Sequence, residues 1–225
     1  MLGDWPQDGR GRRVIAAISM MRRRADIGRD QFYRHWLDPH GVITAGLPGV
    51  RYYTQSHCLD APGMNALARE LAIDGFPELW FDSLEARRIA YTSPRIAACN
   101  IDSEQFVGAV SRLVTEPQVI LERPTVETVK VVLLAIGPPD PGWSHRLFAR
   151  VMPMEGVVGC VRHILLEQAA APASKVPELR VPVAGIAAVI FESEAELLRR
   201  ASALAGSNED AKRTAIYRVR DYKLI

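Results

Sequence analysis

Sliding the sequence against itself by 110 residues lays Asp74–Ser83 on Ala184–Ser193, so that Gly75 meets Gly185, Phe81 meets Phe191, Asp82 meets Glu192 and Ser83 meets Ser193. The same shift sets Gly49-Val50-Arg51-Tyr52-Tyr53 on Gly159-Cys160-Val161-Arg162-His163, and a Pro-containing loop follows each, at 60–74 and 169–183. A repeat of this length constrains the fold more than composition does, because each copy must be one supersecondary unit whose apolar face the other can cover. Both copies read alike. An apolar strand (Val14–Met21; Val129–Ile136) precedes a short helix, a second strand (Val50–Leu59; Cys160–Glu167), a loop, a third strand and a Ser-led helix. A fourth strand, Gln118–Glu122 or Tyr217–Leu224, closes each copy. This order is βαββαβ, the ferredoxin-like pattern.

The reading therefore predicts an α+β fold of tandem ferredoxin-like units, 14–123 and 129–225, packed sheet to sheet as an α/β barrel. A loose arm at 1–13 precedes them and a linker near Arg123-Pro124-Thr125 joins them. The first helix starts near Gly28, carries Phe32 and Trp36 on one face and stops at Pro39; Ser83 and Ser193 cap the second helices.

Charge and cysteine usage narrow the function. Lys and Arg total 28 against 26 Asp and Glu, a formal net charge of +2, which gives no reason to expect nucleic acid or an anionic membrane as partner. A small organic molecule is the expected partner, with a homodimer left open. Cys58, Cys99 and Cys160 are scattered, with no C-x-x-C spacing, which fits a reducing cytoplasm. The apolar run Val14–Met21 is too short to span a bilayer. No Gly-rich phosphate loop, nucleophile elbow or metal-ligand triad is present, so the expectation is no cofactor and no metal.

Alternation places Val50, Tyr52, Thr54, Ser56 and Cys58 on one face of the second strand and Arg51, Tyr53, Gln55 and His57 on the other. On the third strand Leu79 and Phe81 oppose Phe76, Glu78 and Trp80. Setting Leu79, Phe81 and Cys58 under the helices directs Glu78 and Trp80 into the barrel, to meet Tyr53, Gln55 and His57, with His40 arriving from the loop after the first helix. His40, His57, Tyr53 and Glu78 are then the candidate catalytic groups: imidazole for proton transfer near neutrality, Glu to fix its tautomer, Tyr to donate to an oxygen. Gln55, Trp80, Arg51 and Trp36 are the candidate substrate-binding residues. Plainer readings stand beside these. His40 can cap a helix end, Glu78 can pair with Arg51, and Trp36 and Trp80 can simply pack. At the 110-residue offset the second copy offers His163, Leu165, Glu167, Ala188 and Ile190 in the matching places, and aligning Pro39 with Pro153 puts Met154 at the position of His40, so that copy is expected to supply an apolar lid.

The segments Gln31-Phe32-Tyr33-Arg34-His35-Trp36, Pro39-His40, Leu47-Pro48-Gly49-Val50-Arg51-Tyr52-Tyr53, Gln55-Ser56-His57 and Asp74-Gly75 through Glu78-Leu79-Trp80-Phe81-Asp82 together resemble the EthD family. The resemblance spans most of 14–123, and 129–225 looks like a diverged second copy. It implies a dimeric α/β barrel, here with both units in one chain. Its relatives include muconolactone isomerases and cofactor-free enzymes of polyketide and aromatic metabolism. By resemblance, His40 stands at the His of a Trp-x-x-x-His motif and His57 at that of a Gln-x-His motif. The expectation is a cofactor-independent isomerase or lyase acting on a small lactone, quinone or polyketide-like molecule. A non-catalytic binding protein and a haem protein ligated by His40 are the alternatives.

Overall fold

A computed structural model describes residues 14–59, 65–122, 128–169 and 174–225. The expected arm at 1–13 and the linker at 123–125 lie outside the described residues. The first unit runs β1 (Ile15–Arg23), α1 (Arg29–His35), α2 (Gly41–Ala45), β2 (Val50–Cys58), α3 (Ala66–Leu71), β3 (Gly75–Phe81), α4 (Leu84–Thr92), α5 (Pro94–Ser103) and β4 (Val107–Leu121). The second runs β5 (Val129–Ile136), α6 (Pro141–Val151), β6 (Val157–Ala169), β7 (Val183–Phe191), α7 (Glu194–Leu204), α8 (Asn208–Arg213) and β8 (Thr214–Lys223).

Neighbouring strands follow the circuit β1-β3-β2-β8-β5-β7-β6-β4, which closes on itself. Within it each unit keeps the ferredoxin-like order, β4-β1-β3-β2 and β8-β5-β7-β6. Two antiparallel seams join the units: β2 with β8, from Thr54 opposite Lys223 to Cys58 opposite Val219, and β4 with β6, from Arg112 opposite Ala169 to Leu121 opposite Cys160. The chain is thus a pair of ferredoxin-like units forming one α/β barrel, and closure removes the open strand edges that would otherwise invite association. Among the described residues no helix is long and apolar enough to cross a membrane.

Among the described residues the lumen is packed with side chains. Ala16, Ile18, Met20, Phe76, Trp80 and Leu113 of the first unit pack against Val132, Leu134, Ile186, Ala215 and Tyr217 of the second. This corrects the expected cavity between the sheets: alternation brings large side chains to the axis from both sides. Ala188 and Ile190 are buried where they share rungs with Val132 and Lys130, and Leu165 packs against the same cluster, but they form part of this core and not a lid.

Several local readings are also corrected. Pro39 does stop the first helix, but a second one follows at once. The chain leaves helical geometry at Asp38 (φ −151, ψ 118), as a residue before proline tends to, and turns helical again at His40 and through α2. The fourth strand begins eleven residues before Gln118, at Val107; its first half pairs with β1, and Pro117 lies beyond the last β1 partner, Thr115. The loop after β2 contains α3, capped by Asn65, which accepts from the Ala68 amide.

One contact recurs in both units. The first helix of each drives an indole onto a glycine of the third strand: Trp36 onto Gly75 and Trp143 onto Gly185, and a Cβ there would lie 2.2 Å from Trp36 Cζ3 or 2.5 Å from Trp143 Cε3. The coincident glycines of the repeat are sockets for tryptophan. Replacing either with alanine forces the indole off its seat, and overpacking of this kind costs about 1–3 kcal/mol. Gly75→Ala and Gly185→Ala are each expected to lower the urea midpoint, whereas Gly28→Ser, at an N-cap with nothing within 4 Å, leaves it unchanged or raises it. A wild-type midpoint for Gly75→Ala would refute the socket.

Candidate active site

A cavity of about 380 Å³ lies on the outer face of the first sheet, beneath α2, α4 and α5. Its floor includes Met21, Tyr53, Leu79 and Val110; Arg87, Tyr91, Cys99 and Asn100 come from the helices, and Glu167 and Gln168 of β6 bring the second unit to its rim. Among the described residues the second unit is closed at the matching place, and its own hollow, of about 270 Å³, lies instead at the head of α6 beside Trp143, His145 and Arg162. At the matching place α6 runs unbroken from Pro141 to Val151, and Leu147, Phe148 and Val151 fill the space against β5 and β7. In the first unit the interruption at Asp38 ends that tight cover and delivers His40, 8% exposed, to the cavity wall.

His40 Nδ1 stands 2.7 Å from Asp102 Oδ2, and His35 Nε2 stands 3.0 Å from the other oxygen, Asp102 Oδ1. A carboxylate only accepts, so both imidazoles donate to it, and His40 carries its proton on Nδ1 with the Nε2 lone pair left for a ligand. The edge of His40 rests on Phe106. Burial works against the Asp102 charge, but the two imidazole hydrogen bonds prevail and hold its carboxyl below the ordinary value. This is an imidazole oriented by a carboxylate at the wall of a hollow lined by both apolar and polar side chains.

Tyr53 is the second predicted residue that lines the cavity. Behind it runs a fixed chain of hydrogen bonds. Gln55 Nε2 donates to Trp36 O at 2.7 Å and to Tyr53 Oη at 2.8 Å, which leaves Gln55 Oε1 to accept from His57 Nε2–H at 3.0 Å. Burial pushes the Tyr53 phenol well above its ordinary range, so it remains a donor. His57 lies between Trp36 and Tyr33, stacked on both, and burial lowers its pKa to about 4.

Tyr53, Gln55 and His57 therefore lie on the helix side of the sheet, opposite Leu79, Pro77 and Gly75, and not with Glu78. Glu78 shares a rung with Thr54, and Trp80 with Tyr52, and both face the lumen as expected. Cys58 joins them there instead of facing the helices. Alternation sorted each strand into two faces but could not say which faces pair. In the lumen Trp80 Nε1 donates to Glu78 at 2.6 Å, and His163 stands 3.7 Å from the same oxygen. Lys130, Asp221 and Ser56 form a second cluster, with Lys130 Nζ 3.2 Å from Asp221 and 3.1 Å from Ser56 Oγ. Glu78 does not pair with Arg51, which lies outside on Asp82. Trp36 packs with Phe32 and Phe106 and does not reach the cavity. Of eight predicted site residues, the cavity thus gathers His40 and Tyr53.

Sequence reasoning missed Asp102, Arg87, Tyr91 and Arg112. Asp102 had a signal: an acid in the last turn of a helix opposes the helix dipole and calls for a reason. Arg112, amid Val110, Leu113 and Val114, is likewise a charge out of place in an apolar strand.

The His57 shift has a consequence for stability. The unfolded chain takes a proton on this histidine near pH 6.5, the folded one near pH 4, so between these values the unfolded state binds more protons and stability falls as pH drops. The loss is at most about 3 kcal/mol. His163, also pushed down by burial, acts in the same direction. His57→Gln is expected to flatten the decline in unfolding free energy between pH 7 and pH 4.5 measured in urea; an unchanged slope would show that His57 is not held neutral.

Residues 24–109 match the EthD domain family. Among curated proteins none matches this sequence. Solved structures with the same fold include an anthrone oxidase-like protein, at 10% identity with a TM-score of 0.60 over 95% of this chain and 94% of that one. A protein of Fusobacterium nucleatum described as a monooxygenase aligns at 8% identity with a TM-score of 0.55, covering 93% of each chain. A protein from Lactobacillus acidophilus with the same description aligns at 8% identity with a TM-score of 0.51, over 93% of this chain and 94% of that one.

Proposed function

The first unit carries an EthD domain, and from the cavity it encloses we propose that the protein is a cofactor-independent enzyme of the isomerase or lyase type, acting on a small lactone, quinone or polyketide-like molecule. The observation that carries this reading is the His40–Asp102 pair at the wall of a cavity with Tyr53 on its floor. A cavity of this size suits a compact organic ligand. The substrate class also fits a fold neighbour described as anthrone oxidase-like.

The chemistry follows from the hydrogen bonds. His40 Nε2 takes a proton from a carbon next to a carbonyl; the C–H electron pair becomes a C=C bond and the carbonyl electrons move to oxygen, giving an enolate. Asp102 then faces an imidazolium and stabilises it. Tyr53, whose oxygen already accepts from Gln55, donates its hydroxyl proton as a hydrogen bond to the enolate oxygen. The imidazolium returns the proton to a different carbon in an isomerisation, or to a leaving oxygen in an elimination. Every proton and electron pair is accounted for with no further reactant. Glu78 and His57, away from the cavity, take no part.

The test needs no known substrate. A panel of lactones, quinols and 1,3-dicarbonyl compounds is incubated with the protein in D2O, and loss of the acidic C–H signal is followed by NMR. Enzyme-dependent exchange is expected for at least one class, lowered about 10²–10⁴-fold in His40→Ala and by a smaller factor in Asp102→Asn. Compounds that bind without exchanging would favour the alternative, a binding protein using the same cavity. Full exchange by His40→Ala would remove His40 from the mechanism.

A further inference from the structure

Two guanidinium groups share this cavity. Arg87 comes from α4 and Arg112 from β4, and the guanidinium carbon of Arg87 stands 4.6 Å over the ring of Tyr91, one helical turn on. The Arg87 side chain is 14% exposed, and its Nε is buried with no hydrogen-bond partner. Its carboxylate contact, Nη1 to Glu167 Oε1, is long at 3.9 Å, and Glu167 is itself largely in solvent. Arg112 Nη2 reaches Ser174 Oγ only at 3.5 Å, the limit of a hydrogen bond. Burial, together with repulsion from Arg87, lowers the Arg112 pKa, and Glu178 and Tyr91 work in the opposite direction. Arginine nevertheless stays charged.

Lys130, the most deeply buried of the described cations, is by contrast answered at contact distance by Asp221. Here two like charges line one cavity with their donors under-used, Glu167 answering Arg87 only at 3.9 Å, and a buried charge so weakly paired is costly. The missing element is negative, planar and rich in acceptors, which is the shape of a carboxylate facing a guanidinium.

We propose that Arg87 and Arg112 form an anion clamp, so that the ligand of this cavity is an organic acid: an aromatic or lactone ring carrying a carboxylate held by the two arginines. As a statement about substrate class it rests on the proton-transfer reading of the same site; as a statement about binding it stands on the charges alone.

Isothermal titration of the full chain at pH 7.5 with 2-naphthoate and with its neutral isostere 2-naphthamide tests it. Naphthoate is expected to bind at least about tenfold more tightly, as one to two charge-assisted hydrogen bonds imply. Arg87→Gln and Arg112→Gln should each reduce that preference, and the double variant should bring it below twofold. Arg112→Lys, which keeps the charge, should retain part of it. Thermal melts establish that each variant is folded. Equal affinity for acid and amide, no binding of either, or a preference that survives the double substitution would overturn the clamp. Acid-selective binding with no deuterium exchange in any bound acid would keep the clamp and overturn the proton-transfer reading, so the two fail separately.

Discussion

Pairing the free edges of two four-stranded sheets with each other, β2 to β8 and β4 to β6, is the constraint on which the rest of this structure depends. Once the circuit is closed, the inner faces of both sheets meet along one axis and must be packed solid, as Phe76, Trp80, Tyr217 and their neighbours pack it. The outer faces must then be covered by helices. A hollow can persist only where that cover is imperfect, and the interruption between α1 and α2 makes it imperfect on one side. The position of the cavity is thus a result of closure.

Closure also explains the polar groups in the lumen. Lys130 of the second unit meets Ser56 of the first, and His163 of the second meets Glu78 and Thr115 of the first. These contacts cross between the units. A one-residue slip at either seam would turn the slipped strand's share of them to the helix face and leave their partners unanswered among apolar side chains. The hydrophobic core supplies the attraction between the sheets, and the polar contacts make one register preferable to its neighbours.

Much of this architecture was legible in the sequence, because the signals concerned are local. Alternation gave β5 its bounds, Val129–Ile136, and Ser83 and Ser193 do accept from the amides of Ala86 and Glu196 at the heads of α4 and α7. What was not legible depends on distance in the chain. Cys160 shares a rung with Val189 as Tyr53 does with Leu79, so β2 matches β6 at an offset of 107 residues while β3 matches β7 at 110. A difference of three inverts the alternation, and for that reason His163 points inward where Tyr53 points outward. The site divides along the same line. His40 belongs to a local motif, whereas its partner Asp102 stands 62 residues away and is brought there only by the packing of α5.

The unbroken α6 carries a different implication. In an assembly of two identical subunits every substitution is written twice, so a void opened for a ligand weakens both halves at once, and any repair that fills one fills the other. Joining the copies in a single chain releases them from that symmetry. One half can keep Leu147, Phe148 and Val151 tight against its sheet and act as ballast for the whole. Its sibling is then free to drift in shape and charge around the larger hollow beneath α2, α4 and α5, so that the tightness of the fold and the form of that hollow are set by different stretches of the same sequence.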